Sequence, residues 1–316
     1  MKIIAIVHGE PRSINSEIIL KSWKNLSEAK KKSIIIIGNK ELISAQLRKL
    51  RSKVKINIVN ENNLKIKKHN LNLLDVSFKF KNPFNTQRVP TAKYIKKCLN
   101  LADDLARSRK IFGVINCSID KKIFKKRMGV TEYLSLRNKL KEREVMLIHN
   151  KKFSVAPITT HLEVRRIQRN ISKEKIIKKT KTVHSFFKNK FKKNAKLAIL
   201  GLNPHNDEFR SNSFENKILV PSIKILKNIG INIKGPFSVD EIFLGKNFKF
   251  DAIIGMYHDQ VLGPFKALYK FDAINITLGL PYLRVSPDHG TAIKIINKGK
   301  ADPRSLNECI EFLLKI

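Results

Sequence analysis

Three histidines share a setting that invites metal chemistry. His161 follows the apolar run Ser154–Ile158 by way of Thr159 and Thr160, and His205 follows Leu197–Leu200 through Gly201-Leu202-Asn203-Pro204. His258 follows Ala252–Met256 and Tyr257. Apolar runs of this length, bounded by polar or glycine-bearing turns, read as buried strands. A lone histidine is ordinarily a packing residue, but three at strand ends of one sheet point to convergence on a cation. Imidazole suits zinc and other divalent first-row metals and leaves coordination positions open for a substrate. His8, His69, His149 and His184 lack that setting.

The stretch Asp251–Thr291 gathers more polar chemistry around His258: Asp259, Gln260, Lys266, Asn275, Arg284 and the turn Asp288-His289-Gly290-Thr291. Singly, each cation reads as a surface residue and the glycine as an ordinary tight turn. Together they exceed what a core requires. In open α/β sheets such groups collect where strands end, because that rim forms the ligand crevice.

The elements that must position these groups follow from hydrophobic pattern. Lys2–Val7 and Ser33–Gly38 read as buried strands, and Val54–Val59 as a third. A helix is expected from about Asn15-Ser16-Glu17, and the loop His8–Ser13 reads as a strand-to-helix turn. Asn60–Phe84, rich in lysine and asparagine, reads as a surface excursion. Thr91–Arg107 carries a helical stripe behind Pro90, Ile111–Cys117 is a strand, and Gly129–Glu132 opens a helix. Val145–Ile148 and Ser154–Ile158 are two short strands close together. Ile171–Lys193 reads as a basic amphipathic surface helix, with Ile176, Ile177, Val183, Phe186, Phe187 and Phe191 on its apolar side. Asn216–Ile229 is a helix stopped by Gly230, and Gly235-Pro236 and Asp240 fall in a loop. Strand–helix–strand repetition predicts a largely parallel sheet with helices on both faces.

Composition bounds the class. A chain of 316 residues can bury a sizeable core, as one large α/β unit or two subdomains. Lys+Arg 64 against Asp+Glu 26 gives +38, which raises nucleic acid, anionic membranes and phosphorylated ligands as partners. The lysines are dispersed through every segment, with no aromatic-interleaved patch, so solvated faces explain them and nucleic acid is not the expected partner. Cys98, Cys117 and Cys309 form no CxxC pair, which argues against a disulfide framework or a cysteine zinc site and for a cytoplasmic home. No apolar run approaches the roughly 20 residues of a membrane span.

Four motifs make the chain resemble the 4-hydroxythreonine-4-phosphate dehydrogenase family. They are Gly201-Leu202-Asn203-Pro204-His205, Tyr257-His258-Asp259-Gln260, Asn275 to Pro281, and Ser286-Pro287-Asp288-His289-Gly290-Thr291. Gly9-Glu10-Pro11, Thr159-Thr160-His161 and Gly235-Pro236 before Asp240 extend it over nearly the whole chain. The resemblance implies a three-layer α/β/α fold like isocitrate and isopropylmalate dehydrogenases rather than a Rossmann domain, and the chain has no GxGxxG. It implies approximate subdomains 1–125 plus 255–316 on the cofactor side and 126–254 on the dimerisation and metal side. It further implies a cytoplasmic homodimer, with its active site at the subunit interface, that oxidises and decarboxylates 4-phosphooxy-L-threonine with NAD or NADP in pyridoxal phosphate biosynthesis.

By motif, His161, His205 and His258 would hold a divalent metal (Zn, Mg or Co), one ligand coming from the neighbouring subunit. Thr131, Lys266, Asn275 and Arg284 match substrate-binding positions, Asp240 and Lys266 are candidates for proton handling, and Asp288, His289, Gly290 and Thr291 match the cofactor loop. Three departures stand out. Val130 replaces the histidine of the family's Gly-His-Thr-Glu, residues 206–210 replace a glycine-bearing loop, and Arg12, Ser13 and Asn15 replace glycine-rich spacing. Arg12 and Arg210 are candidate compensating anion contacts. The competing readings are the same chemistry on a phospho-threonate or phospho-erythronate, and a non-catalytic anion- or nucleic-acid-binding descendant.

Overall fold

The computed structural model describes residues 2–124, 128–244, 249–270 and 272–316. Two compact units divide it: Met1–Gly129 with Pro281–Lys315, and Val130–Leu280 with Ile316. Residues 255–280, expected with the first subdomain, lie in the second unit. The expected boundary at 125 and 126 lies outside the described residues.

The first unit is built on parallel strands β1 (Ile4–Val7), β2 (Ile34–Gly38), β3 (Ile56–Ile58), β4 (Leu71–Asp75) and β5 (Gly113–Asn116), with Leu283–Pro287 returning from the far end of the chain. Their order is β3-β4-β2-β1-β5 and then Leu283–Pro287. β1 and β2 are buried at every position, which is why they read as unbroken apolar runs rather than alternating ones. Helices Asn15–Asn25 and Lys40–Lys49 carry the chain one way along the sheet, and helix Arg88–Arg107 carries it back. Right-handed crossovers put these on opposite faces, and the direction reverses between β1 and β5, where their carboxyl ends open a crevice. Asn60–Phe84 is not only an excursion, since it contains β4. Its polar Asn72 is buried because its side chain bonds to Lys67 N, Lys67 O and Asn57 Nδ2.

The second unit carries β6 (Val145–His149), β7 (Ser154–Thr159), β8 (Leu197–Leu200), β9 (Ile233–Phe237), β10 (Ala252–Tyr257) and β11 (Ile274–Leu278), ordered β11-β6-β7-β10-β8-β9. β6 runs antiparallel to both β11 and β7, whereas β7, β10, β8 and β9 are parallel. Gly235-Pro236, expected in a loop, lies in β9, an end position in that order where a missing N–H is tolerated. Asp240 sits in the short helix Val239–Ile242. The expected helix Asn216–Ile229 is a π turn, Glu215–Leu219, followed by helix Val220–Asn228. Helix His258–Tyr269 is fastened by Val261, Leu262 and Phe265, which pack with Ile148, Phe153 and Ile253. No described helix is long and apolar enough to cross a membrane.

Candidate active site

Because β7, β8 and β10 are parallel, their carboxyl ends share one rim, and that rim carries His161, His205 and His258. The structure brings two of them together. The rings of His161 and His258 lie 5.7 Å apart between centroids, tilted by 38°. Each Nδ1 faces a carboxylate: His258 and Asp259 Oδ1 at 2.6 Å, His161 and Glu132 Oε1 at 3.8 Å. Glu132 also accepts a 3.4 Å hydrogen bond from Thr160 Oγ1. The hydrogen-bonded Asp259 fixes the His258 ring and leaves its Nε2 as the coordinating atom, the usual outer-shell arrangement of metal-binding histidines, whereas Glu132 lies beside His161 beyond hydrogen-bond distance. Among the described residues neither Nε2 has a protein hydrogen-bond partner, so the pair fits a cation.

His205 is exposed and stands apart. Among the described residues no group of three potential ligands forms within one chain. Its loop is nevertheless tightly held. Glu215, wholly buried, accepts hydrogen bonds from Leu202 N at 2.8 Å and Asn203 N at 2.9 Å. Gln260 accepts from Met256 N and donates to the Gly201 carbonyl, both at 2.6 Å, tying the end of β10 to the Gly201–His205 turn. Residues 205–209 all take φ between 47° and 57°. Side chains with a Cβ cost about 1–2 kcal/mol each in that region, and Asn206 and Asn216 offset it. Asn206 is buried towards Pro236 O and Ser238 Oγ, and Asn216 Nδ2 donates to the carbonyls of Phe209 and Arg210. Arg210 faces Glu208 and Asp207 of its own loop.

The substrate candidates of this unit fall in two groups. Thr131 Oγ1 lies 3.2 Å from Thr277 Oγ1, and Asn275, two residues earlier on the same face of β11, has a buried Oδ1 without a hydrogen-bond partner among the described residues. These join the Glu132–His161 group through the chain itself, since Thr131 precedes Glu132. Lys266 and Asp240 are exposed on their helices, and the structure gives neither a place in that group.

In the first unit, Arg284 is 3% exposed and its Nε donates to Asn116 Oδ1 at 2.5 Å. The loop after β1 is a buried polar network rather than a plain turn. Asn15 Nδ2 donates to the Ser118 carbonyl at 2.8 Å, Ser118 Oγ to Asn15 Oδ1 at 2.8 Å, and Ile14 N to the Thr291 carbonyl at 3.2 Å. Burial raises the Glu10 carboxyl above its usual range, and Arg12 is exposed. In the turn after Leu283–Pro287, His289 Nδ1 bonds to the Gly290 carbonyl at 2.9 Å and Asp288 N to Ser305 Oγ at 2.9 Å. A Cβ built on Gly290 would meet nothing within 4 Å. Packing within the chain therefore does not demand glycine there, and the open backbone fits the approach of a cofactor.

Glu132, Glu215 and the role of Asp259 as a histidine partner were not visible to motif spacing. The one available signal is that Glu132 and Asp259 adjoin Thr131 and His258. Residues 30–313 match the family described as Pyridoxal phosphate biosynthetic protein PdxA. The chain belongs to this family. A 4-hydroxythreonine-4-phosphate dehydrogenase of Sulfurihydrogenibium sp. (strain YO3AOP1) is 35% identical, with 98% of this chain and 97% of that protein covered. One from Aquifex aeolicus (strain VF5) is 33% identical over 95% of this chain and 93% of its own. The crystal structure of the Klebsiella pneumoniae 4-hydroxythreonine-4-phosphate dehydrogenase shares the fold, with a TM-score of 0.84 at 24% identity over 100% of this chain and 99% of that one. PdxA proteins of this kind are dehydrogenases of pyridoxal phosphate biosynthesis, and this dehydrogenase family implies a nicotinamide cofactor.

Proposed function

We propose that this protein is a homodimeric, cytoplasmic NAD- or NADP-dependent dehydrogenase that oxidises 4-phosphooxy-L-threonine, with decarboxylation to 3-amino-2-oxopropyl phosphate. The observation that supports the chemistry best is the His161–His258 pair, with Asp259 hydrogen-bonded to His258 Nδ1 and Glu132 nearby at His161. His161, His205 and His258 hold one divalent cation, with one of the three supplied by the partner subunit. A bound cation polarises the reacting hydroxyl and stabilises the charge that develops on its oxygen. The protein's own groups do the rest. Asp259 holds the His258 imidazole in place, and Glu132 puts a negative charge beside His161. Arg284, oriented by its hydrogen bond to Asn116, clamps an anionic group of the substrate. Thr131 and Asn275 offer hydroxyl and amide contacts, with Lys266 as a further anion contact. Asp240 and Lys266 handle protons, and the open backbone from Asp288 to Thr291 receives the cofactor.

A second reading changes the substrate. A relative from Oceanobacillus iheyensis, 29% identical over 99% of this chain, carries the name of a D-threonate 4-phosphate dehydrogenase. Val130, where the resemblance expects a phosphate-contacting histidine, favours keeping that possibility. Purified protein offered each compound with NAD and with NADP decides between them. NADH or NADPH forms from 4-phosphooxy-L-threonine and stops on chelation. Reduction with the threonate alone moves the protein to the second reading, and reduction with neither compound sinks both.

A further inference from the structure

In the first unit, helix Asn15–Asn25 fastens a part of the chain that packing does not hold. No residue from 291 to 300 is buried, and backbone bonds inside that stretch are local, such as Ile295 N to the Ala292 carbonyl and Lys298 N to the Ile295 carbonyl. Exposed segments with few apolar contacts open most readily. Both ends of this one are nevertheless tied to the same helix. At the near end, Ile14 N, at the helix N-cap, donates to the Thr291 carbonyl at 3.2 Å. At the far end, Glu17 Oε1 accepts from Ala301 N at 2.8 Å. Lys21 Nζ donates to the carbonyls of Gly299 at 2.8 Å and Ala301 at 2.7 Å.

The two side chains also hold each other, with Lys21 Nζ 2.8 Å from Glu17 Oε1. The Glu17 side chain is 4% exposed, and its Oε2 is buried without a hydrogen-bond partner among the described residues. A carboxylate so placed is stable only while donors and a positive charge face it. Glu17 therefore depends on Lys21, and Lys21 directs its other donors to the far end of the segment. An exposed ion pair one helical turn apart would contribute little. This one is turned inward and joined to backbone from the other end of the chain.

The tied stretch continues directly from the turn Asp288–Thr291. We propose that Glu17 and Lys21 are positioning residues that hold 291–301, and with it that turn, in the shape that receives the nicotinamide cofactor. The inference rests on the reading of Asp288–Thr291 as the cofactor turn. Ordering a loop on binding is subtracted from affinity, and a loop already ordered avoids that loss. Glu17 and Lys21 act through the loop, so they set cofactor affinity and leave the chemical step alone.

The test uses the full-length protein, titrated with NADH and with NADPH by fluorescence, with hydrogen exchange of 288–301 read in the free and bound states. In the wild type, bound cofactor slows exchange across 288–291. Lys21→Met raises the cofactor Kd and KM by about ten-fold, while kcat and the KM for 4-phosphooxy-L-threonine move by less than about two-fold. Exchange of the Ala301 amide is faster in that variant, and Lys21→Arg, which keeps the charge and the donors, restores the wild-type Kd. A merely structural role would lower the Tm and shift both KM values together, which overturns the proposal. Should Lys21→Met not fold, Glu17→Gln, which keeps an acceptor for Ala301 N and loses the charge, carries the same test. Two failures are distinguishable. If neither cofactor changes exchange across 288–291 in the wild type, the reading of the turn is wrong and the clamp goes with it. If the turn is protected and the variant binds cofactor as tightly as the wild type, the turn stands and only the clamp is overturned.

Discussion

His8, read from sequence as lacking the strand-end setting, in fact follows β1 as directly as His258 follows β10, yet the surroundings of the two rings are opposite. His8 is 1% exposed. Its Nε2 lies 2.8 Å from Ser16 Oγ, which donates to Gln46 Oε1 at 2.5 Å, so Nε2 carries the proton and Nδ1 is buried without a partner. Burial lowers its pKa to about 4, which keeps the ring neutral. The His258 side chain is 32% exposed, held at Nδ1 by Asp259, with its other nitrogen uncommitted. A strand end thus supplies a location, and the partner at Nδ1 decides what the ring does there. Closed on all sides, an imidazole braces a loop; fixed on one side, it can bind.

The sharpest way to break this comparison is His258→Ala. Losing a ligand to a charge-stabilising cation removes several kcal/mol of transition-state stabilisation, so turnover falls by about three orders of magnitude and metal content drops. His8→Leu retains its metal, as elemental analysis of both variants will show. Next in size is an effect of pH on stability. The ordinary value for His8 is 6.5 and its folded value about 4. The unfolded chain therefore binds the proton first, and stability is lost as pH falls from 6.5 towards 4. Between pH 7 and pH 5 the loss is about 2 kcal/mol for this one group. Urea unfolding at pH 7 and pH 5 measures it, and His8→Leu removes that share of the dependence while the share of His149, also lowered by burial to about 4, stays.

Asp259→Asn keeps the shape but weakens the orienting contact, and metal affinity falls about ten- to a hundred-fold, measured by competition with a chelator. An unchanged affinity would show that the 2.6 Å contact does not serve binding. The smallest effect expected is from Val130→His. One added hydrogen bond to a phosphate is worth about 1 kcal/mol, a rise of roughly five-fold in kcat/KM for 4-phosphooxy-L-threonine. No change there means the phosphate is held in another way.

Sequence pattern displayed most of the parallel framework, since β1, β2, β5, β7, β8 and β10 are apolar runs that stay buried on both faces. It concealed β4, whose short Leu71–Asp75 run includes Asn72, because burial of that amide depends on bonds to Lys67 and Asn57 that no periodicity encodes. It concealed β9 because Gly235-Pro236 reads as a turn, although an end position in a sheet tolerates proline. The histidines were legible from their strand-end setting. Their carboxylate partners were not, because an acidic residue on a charged chain looks like any other surface residue.

The proposed site needs a cation shared between histidines of two chains, and subunit complementation tests this directly. His205→Ala and His258→Ala are each inactive as homodimers. Unfolded together and refolded as a mixture, half of the dimers carry one of each chain, and each mixed dimer has one intact site only if the ligands come from both subunits. The prediction is recovery of about a quarter of wild-type activity, with one metal ion in each mixed dimer. A mixture that forms mixed dimers yet stays inactive and metal-free would contradict it.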